Sequence, residues 1–162
     1  GIGYALAKGF LNCGSLVHGI SRSGSDLIKY ENYSDHRINV KDKLLVKNLI
    51  NSIHQSHGSI DSLINCAGIS IPSSVDNAHD VFRETFEINL FAVFNLCSEV
   101  IKVMKKKKSG SIINVTSIGS NLGFPLNPGY ISSKTSLSGL TRSLSYDYAP
   151  FGIRVNLSLI HI

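Results

Sequence analysis

The stretch YISSK holds two residues that could move a proton together. Tyr130 and Lys134 stand at i and i+4, so on a helix they share one face, a turn apart. A phenol is a poor acid or base at neutral pH. A nearby ammonium stabilises the phenolate, and any bound cation pushes the same way. The pair could then donate a proton to an oxygen, or remove one, near physiological pH. Ser117, closing NVTS, offers a hydroxyl to a carbonyl or alkoxide oxygen. Asn89, in FEINLF, is polar within an apolar helical stretch. It reads either as an exposed helix amide or as a backbone kink holding a water that contacts Lys134. On its own the YxxxK spacing describes a surface Tyr–Lys pair; the serine and asparagine upstream give it chemical meaning.

Other features suit a dinucleotide. Gly1, Ile2 and Gly3 open the first helical segment. Glycine there lets a phosphate approach the backbone, and the free N–H groups carry positive partial charge. Three such residues describe a plain loop equally well. The strand ending GISRSGS carries Ser21 and Arg22 where an acidic residue would bind the adenosine ribose of NAD. An arginine instead attracts a 2′-phosphate and can stack on adenine. A charge-assisted hydrogen bond contributes about 1.5–3 kcal/mol, which is about ten- to a hundredfold in affinity. NADP(H) is therefore expected over NAD(H), which remains open; the plain alternative is a solvated loop arginine. NCAG, from Asn65 through Cys66 and Ala67 to Gly68, follows another strand, and its small residues admit a flat ring or a ribose.

Such residues need a scaffold that delivers them to one edge. The chain alternates apolar strand-like runs with helical patterns. GIGYALAKGFLNCG carries an apolar stripe of Tyr4, Leu6, Ala7, Phe10 and Leu11, and SLVHGIS reads as a short buried strand. KLLVKNLINSIHQSHG is an amphipathic helix with Leu45, Leu49, Ile50 and Ile53 inward and Gly58 as its stop. SIDSLINCAG is a strand and turn, a long helix spans about Asp80 to Lys107, and GSIINVTS is a strand. The YISSK helix follows, with Leu137, Leu140 and Leu144 in phase, and IRVNL is the last strand. This alternation predicts an α/β fold: a doubly wound, Rossmann-like parallel sheet covered on both faces. Ligands of such sheets bind at the carboxyl ends of the strands, where these residues fall.

Composition narrows the rest. The 162 residues make one domain, with 43% apolar content sufficient for a core. No apolar run is long enough for a membrane span. Four of the positive charges lie in KKKK, Lys105 to Lys108, which suits a solvated helix C-terminus better than a nucleic-acid patch. Cys13, Cys66 and Cys97 are odd in number and have no CxxC spacing, which fits free thiols and a cytoplasmic location. His54 and His57 have no third ligand near them, so no metal is expected.

Taken together, these motifs resemble the short-chain dehydrogenase/reductase family, from GIG to RVN. In that family a TGxxxGIG loop opens the first helix, and Gly1, Ile2 and Gly3 match its end. NCAG matches the family's NNAG with Cys66 in second place. The family's asparagine falls on Asn89, its serine on Ser117 and its YxxxK on Tyr130 and Lys134. The resemblance implies hydride transfer between a nicotinamide and a carbonyl or alcohol carbon. Tyr130 would be acid or base and Ser117 would polarise the carbonyl. Lys134 would favour the tyrosinate and hold the nicotinamide ribose, and Asn89 would complete a proton relay. It also places the adenine at Asn39 and Val40, with Asn39 where an aspartate is usual. Arginine after the second strand accompanies NADP(H) preference in the family.

The same resemblance implies a homodimer or homotetramer through the long helix and the Tyr130 helix. No nucleic acid is expected as a partner. The loops ISIPSSVDNAHD and IGSNLGFPLNPG lack lysine and arginine, which leans toward neutral carbonyls, sugars or carrier-bound acyl groups as substrate. A nucleotide-binding regulator or scaffold of the same fold is the other reading; it has no need of a proton-transferring tyrosine. LSLIHI, Leu157 to Ile162, does not continue the family pattern and matches the translation of a sequencing-library adapter. The expectation is therefore a partial domain over 1–156 with a non-native tail over 157–162. Such a piece would lack a sheet strand, most of the phosphate loop and the substrate lid, and would be poorly stable and inactive by itself.

Overall fold

The computed structural model describes residues 1–159. Its helices are α1 (Ile2–Asn12), α2 (Lys43–His57), α3 (His79–Phe86), α4 (Ala92–Lys107) and α5 (Pro128–Tyr148). Its strands are β1 (Val17–Ser21), β2 (Tyr33–Arg37), β3 (Ser62–Asn65), β4 (Gly110–Val115) and β5 (Ile153–Ser158). Every strand pairing is parallel, as the alternation predicts. The described residues form two sheets rather than one: β1–β2, and β3–β4–β5 with β4 in the middle. Neither β1 nor β3 has a ladder partner on its other edge among the described residues. β5 runs beyond Asn156, and Leu157 and Ser158 sit opposite Asn114 and Val115. The rest of the expected tail, 160–162, lies outside the described residues.

Local chemistry explains the element ends. Asp42 caps α2 by accepting from Leu44 N and Leu45 N at 3.1 and 3.0 Å. Gly58, at φ 73°, closes the helix in the left-handed conformation. Lys105, Lys106 and Lys107 lie in the last turn of α4, opposing its dipole, and Lys105 Nζ stands 4.2 Å over the Phe151 ring. Pro128 opens α5, where its missing N–H costs nothing.

The expected helix faces need two corrections. On α2 the buried set is Val46, Leu49, Ile50 and Ile53; Leu45 is exposed. Val46 follows the same i+3, i+4 stripe toward α4, and that phase turns Leu45 outward. On α1 only Leu11 is buried, while Tyr4 and Leu6 remain exposed, because among the described residues the helix packs only lightly, against β1. The helical region expected from about Asp80 to Lys107 is present, running without a break from His79 to Lys107. A π turn at Glu87–Phe91 separates α3 from α4.

The core gathers Val46 and Ile50 of α2, Val100 and Met104 of α4, Ile112 of β4, Leu137 of α5 and Ile153 of β5. Each such fully buried aliphatic side chain contributes about 1.5–3 kcal/mol. The core clamps α4 and α5 on the three-stranded sheet, and so fixes the end of β4 against the first turns of α5.

Candidate active site

β4 ends at Val115, and the chain then sets the buried Thr116 and Ser117 against the start of α5. Ser117 Oγ accepts from Gly119 N at 3.1 Å, which caps the short 3-10 turn Ile118–Ser120. The hydroxyl proton of Ser117 is left to donate elsewhere. Tyr130 lies half-buried in the first turn of α5. Lys134 is only 5% exposed. Its Nζ donates to Val115 O at 2.9 Å, tying α5 back to the end of β4. That ammonium stands 5.9 Å from the centre of the Tyr130 ring, and no direct hydrogen bond joins the two. Burial pushes the Lys134 pKa below its ordinary value, and Cys66 opposes that shift.

Asn89 is fully buried, so the exposed-amide reading is excluded and the backbone kink is present as the π turn. Its Oδ1 accepts from Ile69 N at 2.8 Å. Its Nδ2 donates to Ile69 O at 2.9 Å and to Ser133 Oγ at 3.0 Å. Ser133 Oγ in turn donates to Tyr130 O at 2.8 Å. The extra residue of a π turn rotates one side chain out of helical phase, and here it turns Asn89 toward the loop after β3. Asn89 makes no direct hydrogen bond to Lys134. The two converge at Gly68, where a Cβ would lie 3.2 Å from Asn89 Oδ1 and 3.4 Å from Lys134 Nζ. A side chain at position 68 would press on both.

Ile2, Cys66, Gly68, Ile69, Ser70, Ser117, Phe124, Tyr130 and Lys134 line one cleft of about 380 Å3, together with Val115, Thr116 and Ile118. Burial pushes the Cys66 thiol up, and Lys134 pulls it the other way. At the cleft's mouth, Gly1 precedes α1 with open space where a Cβ would be, and a Cβ on Gly3 would only touch Cys66 at 3.4 Å. Gly1 and Gly3 thus add no side-chain bulk at the N-terminus of α1, as close approach of a phosphate requires.

Not every expected residue reaches the cleft. The Asn65 side chain is buried and donates to Asn114 Oδ1 at 2.8 Å and to Cys97 Sγ at 3.5 Å. Asn114 donates onward to Thr141 Oγ1 at 2.9 Å. Asn65 is thus a strut joining β3, β4 and α5, and Ala67 is outside the lining. Arg22, Asn39 and Val40 gather at another place, the carboxyl ends of β1 and β2. Arg22 is exposed, and Asn39 Oδ1 accepts from Lys41 N at 3.1 Å. That oxygen keeps a second lone pair. Sequence reasoning missed Ser133, although it lies inside YISSK, one helical turn after Tyr130. The loops also meet through Ser70 Oγ, which donates to Asn127 Oδ1 at 3.0 Å. Among the described residues no group of three or more His, Cys, Asp or Glu side chains could hold a metal ion, and no helix is long and apolar enough to cross a membrane.

A parallel α/β fold with Ser after a strand end and Tyr and Lys on the helix beside it defines a class, and comparison with known proteins gives the family. The family model described as short chain dehydrogenase matches residues 1–159. The chain belongs to the short-chain dehydrogenase family. It is 34% identical to a 3alpha-hydroxysteroid dehydrogenase of Mediterraneibacter gnavus, over 96% of this chain and 67% of that protein. It is 32% identical to a 3-ketodihydrosphingosine reductase of Bacteroides thetaiotaomicron, over 97% of this chain and 58% of that protein. The chain thus spans between about three fifths and two thirds of these relatives' length. Among solved structures, ElxO with NADP bound superposes with a TM-score of 0.90 at 30% identity, covering 97% of this chain and 67% of that one.

Proposed function

We propose that the full-length protein is an NADP(H)-dependent oxidoreductase that interconverts a carbonyl and a secondary alcohol. The observation that carries this reading is the convergence of Ser117, Tyr130 and Lys134 on one cleft, with Asn89 meeting Lys134 at Gly68. The nicotinamide, when bound, supplies or accepts the hydride. Gly1, Ile2 and Gly3 hold the pyrophosphate at the start of α1, and Arg22 faces the 2′-phosphate. Asn39 and Val40 hold the adenine. Ala67 and Gly68 admit the nicotinamide-side ribose, and Asn65 supports that turn through Nδ2, while its Oδ1 is buried with no partner among the described residues.

Ser117 donates to the substrate oxygen and keeps it within reach of Tyr130. In reduction Tyr130 O–H protonates that oxygen; in oxidation the tyrosinate removes the proton. The Lys134 ammonium, held by Val115 O, stands 5.9 Å from the centre of the Tyr130 ring and places a positive charge beside the proton transfer. Asn89 acts on this set by fixing Ile69 and Ser133 around it. Cys13, Cys66 and Cys97 are free thiols, in keeping with a cytoplasmic location. Phe91 and Phe94 are exposed on the long helix segment, which suits pairing of copies as a homodimer or homotetramer.

The relatives' names span a steroid and a sphingoid ketone. Among the described residues Lys134 is the one cationic side chain lining the cleft, so neutral carbonyls, sugars and carrier-bound acyl groups are the first substrates to try. The test is loss of NADPH absorbance by the purified full-length protein over such a panel. Turnover on one or more members is expected. Tight NADPH binding with no turnover on any member would favour a nucleotide-binding scaffold.

A further inference from the structure

A second arginine stands beside Arg22, and the fold has built a place for it. Arg37 ends β2 directly opposite Ser21, the last residue of β1, so its Cα lies next to the turn that carries Arg22. Ser21 Oγ accepts from Gly24 N at 2.9 Å, which closes that turn. Gly24 sits at φ 78° against Arg37: a Cβ there would fall 2.7 Å from Arg37 Nε and 2.5 Å from Asp35 Oδ2. Glycine is needed at position 24 for both reasons. Beneath the turn, Asp35 has a side chain only 5% exposed and receives Arg37 Nε at 3.4 Å. Asp35 Oδ1 is buried with no partner among the described residues. The carboxylate therefore steers Arg37 from below and uses only Nε. The two terminal guanidinium nitrogens form no hydrogen bond among the described residues, and the side chain is 70% exposed.

We propose that Arg37 is a second contact of the adenosine 2′-phosphate and sets cofactor preference together with Arg22. A phosphate seated on the Ser21–Gly24 turn would meet Arg22 from the chain that forms the turn and the fork of Arg37 from the neighbouring strand. A guanidinium fork matches two phosphate oxygens where an ammonium matches one. Asp35 makes the preference sharper. With Arg37 removed, a buried carboxylate stands uncompensated beside the phosphate and repels it. This inference rests on the cofactor reading above and adds to it a residue from the neighbouring strand, outside the glycine motif and the turn after β1.

The experiment compares 2′,5′-ADP with 5′-AMP, and NADPH with NADH, by calorimetric titration of the full-length protein and its variants. Wild type is expected to bind 2′,5′-ADP more tightly than 5′-AMP. R37A is expected to lose about tenfold in 2′,5′-ADP affinity, the lower end for a charge-assisted contact because the side chain is exposed. Its affinity for 5′-AMP should not change, which also shows that the variant is folded. R37K should recover part of the loss, and D35N/R37A should bind 2′,5′-ADP better than R37A. Unchanged 2′,5′-ADP binding by R37A, with wild type still preferring it over 5′-AMP, overturns the role of Arg37 and leaves the cofactor reading standing. Wild type that binds neither NADPH nor 2′,5′-ADP overturns both.

Discussion

The two ends of the proposed cofactor site are built in opposite ways. At the end of β4, polar groups are buried and tied from more than one element: Lys134 to Val115, Asn89 to Ile69 and Ser133, Ser133 to Tyr130. At the ends of β1 and β2, Arg22, Arg37 and Asn39 are exposed; Arg22 and Asn39 are placed by turns, and Arg37 by its position as the last residue of β2. Atoms that must take part in bond making need positions fixed to a fraction of an ångström. Charges that attract a phosphate act over several ångströms and tolerate motion. On the proposed reading, the first end carries catalysis and stability together, and the second carries cofactor choice with little effect on stability.

Substitutions at the two ends should separate along that line. Lys134→Met keeps the apolar stem and removes the ammonium. It should lower kcat by about 10² to 10⁴ and leave Val115 O without its side-chain donor, which steady-state kinetics and thermal unfolding would register together. Asn89→Leu should come next. It strips Ile69 N–H and C=O of their partners and is expected to cost about 2–4 kcal/mol in denaturant unfolding. Arg22→Ser should lower NADPH affinity about tenfold, with NADH affinity and Tm unchanged. A large loss of stability in that variant would break the distinction between the two ends.

The smallest effect belongs to pH. His18 Nδ1 and His36 Nε2 lie 3.0 Å apart with stacked rings, and one nitrogen must be unprotonated to accept. Burial pushes His18 below its ordinary value, and His36 and His57 add to the shift. Burial also lowers His36, against the pull of Asp35. The unfolded chain then binds protons that the folded chain resists. Stability is intact above the unfolded value of 6.5 and falls as pH drops through it, levelling off below the folded values. His18→Phe should flatten that slope in unfolding measured from pH 7.5 to about pH 5.

What could be read from the sequence follows the range of each interaction. Tyr130 and Lys134 share a face because one helix sets their geometry, so YISSK was legible. Ser117 followed from the end of an apolar strand. The role of Asn65 was not legible, because its partner Asn114 lies 49 positions away and Thr141 is further still. β2 has the sequence YSDHR, with no apolar run to mark it, and forms by pairing with β1. Arg37 went unseen for the same reason. The phase of α2 was misjudged at one position because Leu45 and Val46 are both apolar, and only the packing on α4 chooses between them.

The most direct test of the central claim is Tyr130→Phe in the full-length protein, with kcat and NADPH affinity measured on the same sample. The substitution removes one oxygen from a half-buried ring and leaves the Lys134–Val115 tie in place. The account predicts a fall in kcat of about 10² to 10⁴ with NADPH affinity unchanged. Turnover by Tyr130→Phe at the wild-type rate would contradict it.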